Sequence, residues 1–119
     1  MAKCIIVDDS KFMRKIISDI LITGGHTVEG EADNGQGGVD LYEKVKPDFL
    51  TMDITMGGKD GINAVKEIKS KYPQSKIIVI SALNENTIKM NDEKINADVF
   101  LTKPFNKEEL LTLVDKLLS

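Results

Sequence analysis

The run Ile77-Ile78-Val79-Ile80, closed by Ser81-Ala82, decides the fold, because it is β-branched and apolar at every position. Strand side chains alternate between the two faces of a sheet, so a run without a polar position needs both faces covered. Central strands of a parallel sheet, sheathed by helices on each side, meet that need. With Lys76 included, this is one of five such runs; the others are Lys3 to Val7, Thr27 to Glu31, Phe49 to Met52 and Val99 to Thr102. Segments of helical period alternate with them. The first places Phe12, Met13, Ile16, Ile17, Ile20 and Leu21 on one face and stops at Gly24-Gly25, where a left-handed residue costs least. The second, Gly35 to Val45, stops before Lys46-Pro47, and the third, Ile62 to Tyr72, before Pro73. The last carries Leu110, Leu111, Leu113, Val114, Leu117 and Leu118 on one stripe and opens at Asn106, an N-cap with Glu109 three residues on. The fourth stretch, Asn84 to Asn96, is polar and Asn-rich and is expected to be the weakest helix. Five strand–helix pairs predict an α/β fold, a doubly wound five-stranded parallel sheet with right-handed crossovers.

The 119 residues are expected to make one domain, 1–119, without an attached output domain. Sixteen Lys plus Arg against 19 Asp plus Glu give a net charge of −3, which lacks the basic footprint of a nucleic-acid binder. Apolar runs of at most four residues exclude a membrane span or a signal peptide, so the chain is expected to be soluble, cytoplasmic and monomeric. The single Cys, at position 4 in an apolar run, reads as a small core hydrophobe.

In an open parallel sheet, ligands bind outside the carboxyl ends of the strands. There the sequence places Asp8-Asp9-Ser10 after the first run, Asp53 after the third, Ser81-Ala82 after the fourth and Lys103-Pro104-Phe105 after the fifth. Taken singly, each has an ordinary reading: a helix cap, a solvated loop acid, a surface cation. Together they bring three carboxylates, a hydroxyl and an ammonium to one edge. Like charges near 4 Å repel by roughly 4 kcal/mol at an effective dielectric of about 20, so the cluster needs a counter-charge. A hard divalent cation with oxygen ligands supplies it, and Mg²⁺ suits a few carboxylates with several retained waters. Acids, Mg²⁺ and one Lys without a Gly-rich phosphate loop fit phosphoryl transfer to a carboxylate, with Asp53 as nucleophile.

Asp8-Asp9-Ser10, Met52-Asp53-Ile54-Thr55-Met56 with Asp60-Gly61, Ser81-Ala82 and Lys103-Pro104-Phe105 resemble, in order and spacing, the receiver domain of two-component response regulators. Within that family, Val7 to Arg14 and Thr51 to Met56 are most similar to the stand-alone chemotaxis regulators. The resemblance implies a flavodoxin-like (βα)5 fold with strand order 2-1-3-4-5, and phosphorylation of Asp53 by a histidine kinase. It implies Mg²⁺ held by Asp9, Asp53 and the Thr55 backbone carbonyl, with Asp8 acting through water. Lys103 would contact the phosphoryl oxygens, and the Lys103-Pro104 peptide would be cis. Ser81 would swing its hydroxyl to the phosphate, Phe100 would rotate into the space left, and Ala82 would stay small to permit it. The implied partners are a chemotaxis-type sensor kinase, a flagellar motor switch protein and a phosphatase. The chain departs from the family at Gly57-Gly58, where Pro commonly follows Met56, which points to a more mobile loop. It departs again at Asn96, where Gly is usual, and at Phe100, which lacks the hydroxyl of the frequent Tyr. Leu83, apolar and branched, is expected to hinder the attacking water and slow self-dephosphorylation.

A phosphorelay carrier that passes the phosphoryl group on to a histidine phosphotransferase would use the same residues. A Mg²⁺-dependent phosphohydrolase is a further alternative, disfavoured by the lack of an Asp-x-Asp pattern at the end of the first run. His26, the only His, reads as a surface residue after the Gly24-Gly25 turn. Gly35-Gln36-Gly37-Gly38 does not match a dinucleotide-binding pattern, since Asp40 stands where the last Gly belongs.

Overall fold

The computed structural model describes residues 2–54, 60–82 and 98–119. The five runs are strands, β1 (Lys3–Val7), β2 (Thr27–Ala32), β3 (Phe49–Asp53), β4 (Ile77–Ser81) and β5 (Val99–Thr102). The described helices are α1 (Lys11–Thr23), α2 (Gly35–Val45), α3 (Asp60–Lys71) and α4 (Lys107–Leu118). All pairings are parallel, in the order β2-β1-β3-β4-β5. The polar stretch Asn84 to Asn96 lies outside the described residues, as do Thr55, Gly57-Gly58 and Leu83.

Strand alternation splits the core in two. Ile5, Val7, Leu50, Met52, Ile77 and Val79 meet Val39 and Tyr42 of α2 and Ala64, Val65 and Ile68 of α3. Cys4, Ile6, Phe49, Ile78 and Ile80 meet Ile17 and Leu21 of α1 and Leu110 and Val114 of α4. Every residue of β3 and β4 is buried, the condition that the run at Ile77 demanded. The edge strand β2 instead alternates exposed and half-buried positions. Cys4 is buried, and burial pushes its thiol up to about 12.

β1, β2 and β5 each hand over to the following helix through a side-chain cap. The Ser10 hydroxyl accepts the Met13 N–H at 3.1 Å to open α1. Asn34 accepts the Gly37 N–H at 2.7 Å to open α2. At α4 the capping box is complete: Asn106 accepts the Glu109 N–H at 2.8 Å and Glu109 accepts the Asn106 N–H at 3.0 Å. After α1 the chain turns at Gly25, whose φ of 92° is left-handed. No described helix is long and apolar enough to cross a membrane.

Two expectations need correction. Phe12 is 75% exposed. It stands five residues before the buried Ile17, which at 100° per residue puts it about 140° round the helix from the buried face. His26 is buried rather than on the surface. Its Nδ1 accepts the Ala2 N–H at 3.3 Å and its ring packs edge-on to Phe49 with centroids 5.5 Å apart. The start of β1 lies beside the start of β2, and that covers the ring.

Candidate functional site

Strand register brings the expected residues to one edge. Asp53 closes β3 opposite Ile80, and Ser81 closes β4 opposite Thr102. The Ile54 N–H donates to the Ile80 carbonyl at 3.1 Å and the Lys103 N–H to the Ser81 carbonyl at 2.8 Å, so the chain beyond β3 and β5 stays laced to β4. Asp8 continues β1, its N–H donating to the Ala32 carbonyl at 3.0 Å. The result is an acidic hollow in which Asp8 and Asp53 are 1% and 3% exposed and Asp9 faces solvent.

One carboxylate oxygen from each of Asp8, Asp9 and Asp53 lies within 4.8 Å of the other two. Three oxygens so placed can ligate one hard cation together, and no soft ligand stands among them. Lys103 Nζ approaches Asp8 Oδ2 at 3.5 Å and Asp53 Oδ2 at 3.4 Å, beyond good hydrogen-bond length. It therefore acts as a shared counter-charge rather than a tight partner of either acid. Burial pushes the Asp8 carboxyl up, helped by the Asp53 charge, while the Ser10 N–H at 2.8 Å and Lys103 pull it down; burial wins. Two buried acids sharing the Lys103 ammonium at these lengths, with a third carboxylate beside them, can receive a further positive charge.

Ser81 is buried beneath this edge, Ala82 is exposed, and Phe100 is half-buried against the core on the α2 and α3 side. The Lys103-Pro104 peptide is cis, as the resemblance implied. The Thr55 carbonyl lies outside the described residues.

Sequence reading missed two contributors. At Gly61, in the first turn of α3, an added Cβ would lie 2.5 Å from the Asp53 carbonyl oxygen and 2.7 Å from Ile54 Cα. Only glycine lets the helix approach the backbone of Asp53 so closely; the Asp60-Gly61 pair was visible, its contact was not. Arg14 donates from Nη1 to the Asp8 carbonyl at 2.7 Å and from Nε to Glu31 at 3.0 Å. Its only signal was a position one turn beyond the Ser10 cap.

The family profile of the response regulator receiver domain matches residues 4–115. The chemotaxis protein CheY of Thermotoga maritima is 41% identical over 96% of this chain and 95% of its own length. CheY of Bacillus subtilis is 41% identical over 98% of both chains. Among solved structures, the CheX-CheY-BeF3-Mg²⁺ complex from Borrelia burgdorferi superposes with a TM-score of 0.90 at 28% identity, covering 98% of this chain and 89% of that one. With the acid edge in place and near full-length likeness to CheY, this chain belongs to the response regulator receiver domain family.

Proposed function

We propose that this chain is a phosphorylation-dependent switch of a two-component system, in which Asp53 accepts a phosphoryl group from a histidine kinase. The observation that carries this reading is the convergence of Asp8, Asp9 and Asp53 on one point with Lys103 beside them. A carboxylate oxygen of Asp53 attacks phosphorus; the P–N bond of the phosphohistidine breaks as the new P–O bond forms, and the imidazole nitrogen leaves with the bonding pair. Asp9 and Asp53, with Asp8 through water and the Thr55 carbonyl as the resemblance implies, would hold Mg²⁺, which when bound would neutralise charge on the transferring oxygens. Lys103, tethered to β4 through its backbone, holds its ammonium where those oxygens arrive. The Asp8 carboxylate, fixed by the Ser10 N–H, keeps the cation site electronegative.

Ser81 and Phe100 connect this chemistry to the surface. Ser81 ends the strand adjacent to Asp53, and Phe100 stands on β5 beside Val79 of that strand. A hydroxyl drawn toward a new phosphoryl group would vacate space beside β5, and the half-buried Phe100 would rotate into it, as the resemblance implies. Phosphorylation thereby shifts the population between two packings. The output is a change in partner affinity, and the likeness to CheY supports a flagellar motor switch protein as the receiver, in the cytoplasm, with a chemotaxis-type kinase upstream.

Asp53→Asn tests the assignment. Incubated with acetyl phosphate and Mg²⁺, the wild type gains one base-labile phosphoryl group by mass spectrometry and the variant gains none. A variant phosphorylated at the wild-type rate removes Asp53 from its role. A partner captured by the wild type in beryllofluoride and Mg²⁺, and not by Asp53→Asn, identifies the output.

A further inference from the structure

We infer that Arg14 is a positioning residue for the acidic site: it holds the Asp8-Asp9 peptide, and so sets the direction from which Asp9 offers its carboxylate to a divalent cation. The inference rests on the reading of Asp8, Asp9 and Asp53 as cation ligands.

The β1 hydrogen-bond ladder ends with the Asp8 N–H, which donates to Ala32. The Asp8 carbonyl lies past that last rung in a residue that is 1% exposed, where an acceptor without a donor is costly. Arg14 Nη1 supplies the donor at 2.7 Å, and Glu31 takes Nε at 3.0 Å. The guanidinium is planar, so two bonds in different directions fix its plane and the carbonyl it grips. The Arg14 N–H also donates to the Ser10 carbonyl at 2.9 Å, and the Ser10 N–H to Asp8 Oδ1 at 2.8 Å. Residues 8 to 10 are thus held from both sides by one residue of α1.

Asp9 needs this. Its side chain faces solvent, and no hydrogen bond or ion pair from the described residues reaches its carboxylate. What aims it at the point shared with Asp8 and Asp53 is therefore its backbone. A surface ion pair with Glu31 would be worth little alone; the grip on the Asp8 carbonyl is what gives Arg14 a part in the site.

Charge and position predict opposite signs. Removing a nearby cation should tighten the binding of another cation, whereas loosening a ligand should weaken it. Calorimetric titration of the full chain with Mg²⁺ separates them, using Arg14→Met, Arg14→Lys and Asp9→Asn, with amide hydrogen exchange at Asp9 and Ser10 measured in metal-free protein. The expected result is an Mg²⁺ affinity about ten- to a hundredfold lower in Arg14→Met, intermediate in Arg14→Lys, with faster exchange at both amides. An Arg14→Met affinity within twofold of wild type, or tighter, overturns the role of Arg14 if Asp9→Asn is weakened. If Asp9→Asn also binds as the wild type does, the ligand reading falls and this inference with it. Should Arg14→Met fail to fold, Arg14→Lys decides: an affinity within twofold of wild type overturns the proposal.

Discussion

At the edge where the strands begin, two aspartates bracket a neighbouring strand in the same way. Asp48, just before β3, accepts the Lys3 N–H at 2.8 Å and donates its own N–H to the Lys3 carbonyl at 2.8 Å. Asp98, just before β5, accepts the Ile77 N–H at 2.8 Å and donates to the Ile77 carbonyl at 3.2 Å. Asp98 also pairs with Lys69 Nζ at 2.9 Å. At the opposite edge, Asp8 and Asp53 are buried and share Lys103 at 3.4 to 3.5 Å, and burial disfavours the charged form of Asp8. One sheet thus uses its carboxylates in two ways. Where strands start, each acid fills the hydrogen-bonding needs of a strand's first residue and fixes its register. Where strands end, two buried acids crowd around one lysine at 3.4 to 3.5 Å, a placement that suits the proposed ligand site better than it suits stability.

The comparison breaks most readily at Asp98. Asp98→Ala removes the carboxylate from Lys69, whose side chain is 9% exposed and keeps the Ser75 carbonyl, and removes the acceptor of the Ile77 N–H. Urea denaturation should show a loss of about 3 kcal/mol, below the extreme for a fully buried pair because Asp98 is partly exposed. A loss under about 0.5 kcal/mol, the range of an ordinary surface change, would show that the bracket does not hold the sheet.

How much of this was legible differs between the two edges. The edge where strands end could be read because strand polarity alone sends Asp8, Asp9, Asp53 and Lys103 there, whatever the strand order. The opposite edge was not read, since the meeting of Asp98 with Ile77 and of Asp48 with Lys3 depends on the register between neighbouring strands, which strand order alone does not fix. The Ile77 run was decisive because full burial of a strand leaves a pattern without polar positions. Phe12 misled because a helical face drawn from apolar identity ignores angle, and His26 because its cover comes from Ala2 and Phe49, distant in sequence. Arg14 and Gly61 were hidden for a related reason: each acts on the backbone of an acid, and backbone contacts leave no residue-type signature.

Asp8 tests the other half of the comparison. In metal-free protein at neutral pH, Asp8→Asn should stabilise the fold by about 1.5 kcal/mol, since it removes a buried charge beside Asp53 and keeps an oxygen for the Ser10 N–H. The pH dependence has a definite sign. The Asp8 carboxyl titrates higher in the folded chain than its ordinary 3.8, so the folded state holds the proton more tightly. Its contribution to stability is fully present below 3.8 and is lost as pH rises through the folded value. Denaturation midpoints of the wild type should therefore fall relative to Asp8→Asn as pH climbs from about 4 toward neutrality. Parallel profiles would mean that the acid edge carries no such strain.

Thr51 gives the smallest effect and the sharpest boundary between the two kinds of buried polar group. It lies in β3 two residues before Asp53, fully buried, paired in register with Ile6 and Ile78. Its hydroxyl has no hydrogen-bond partner among the described residues. A buried hydroxyl without a partner costs on the order of 1 kcal/mol, and valine has nearly the same shape. If the tolerance for unmet polar groups belongs to the ligand edge alone, Thr51 has no part in it, and Thr51→Val should raise stability by about 1 kcal/mol without changing the rate of phosphorylation by acetyl phosphate. A loss of stability would mean that the hydroxyl is satisfied by a buried water. A changed rate at unchanged stability would extend the acidic site one pleat into the sheet, because alternation puts Thr51 and Asp53 on the same face.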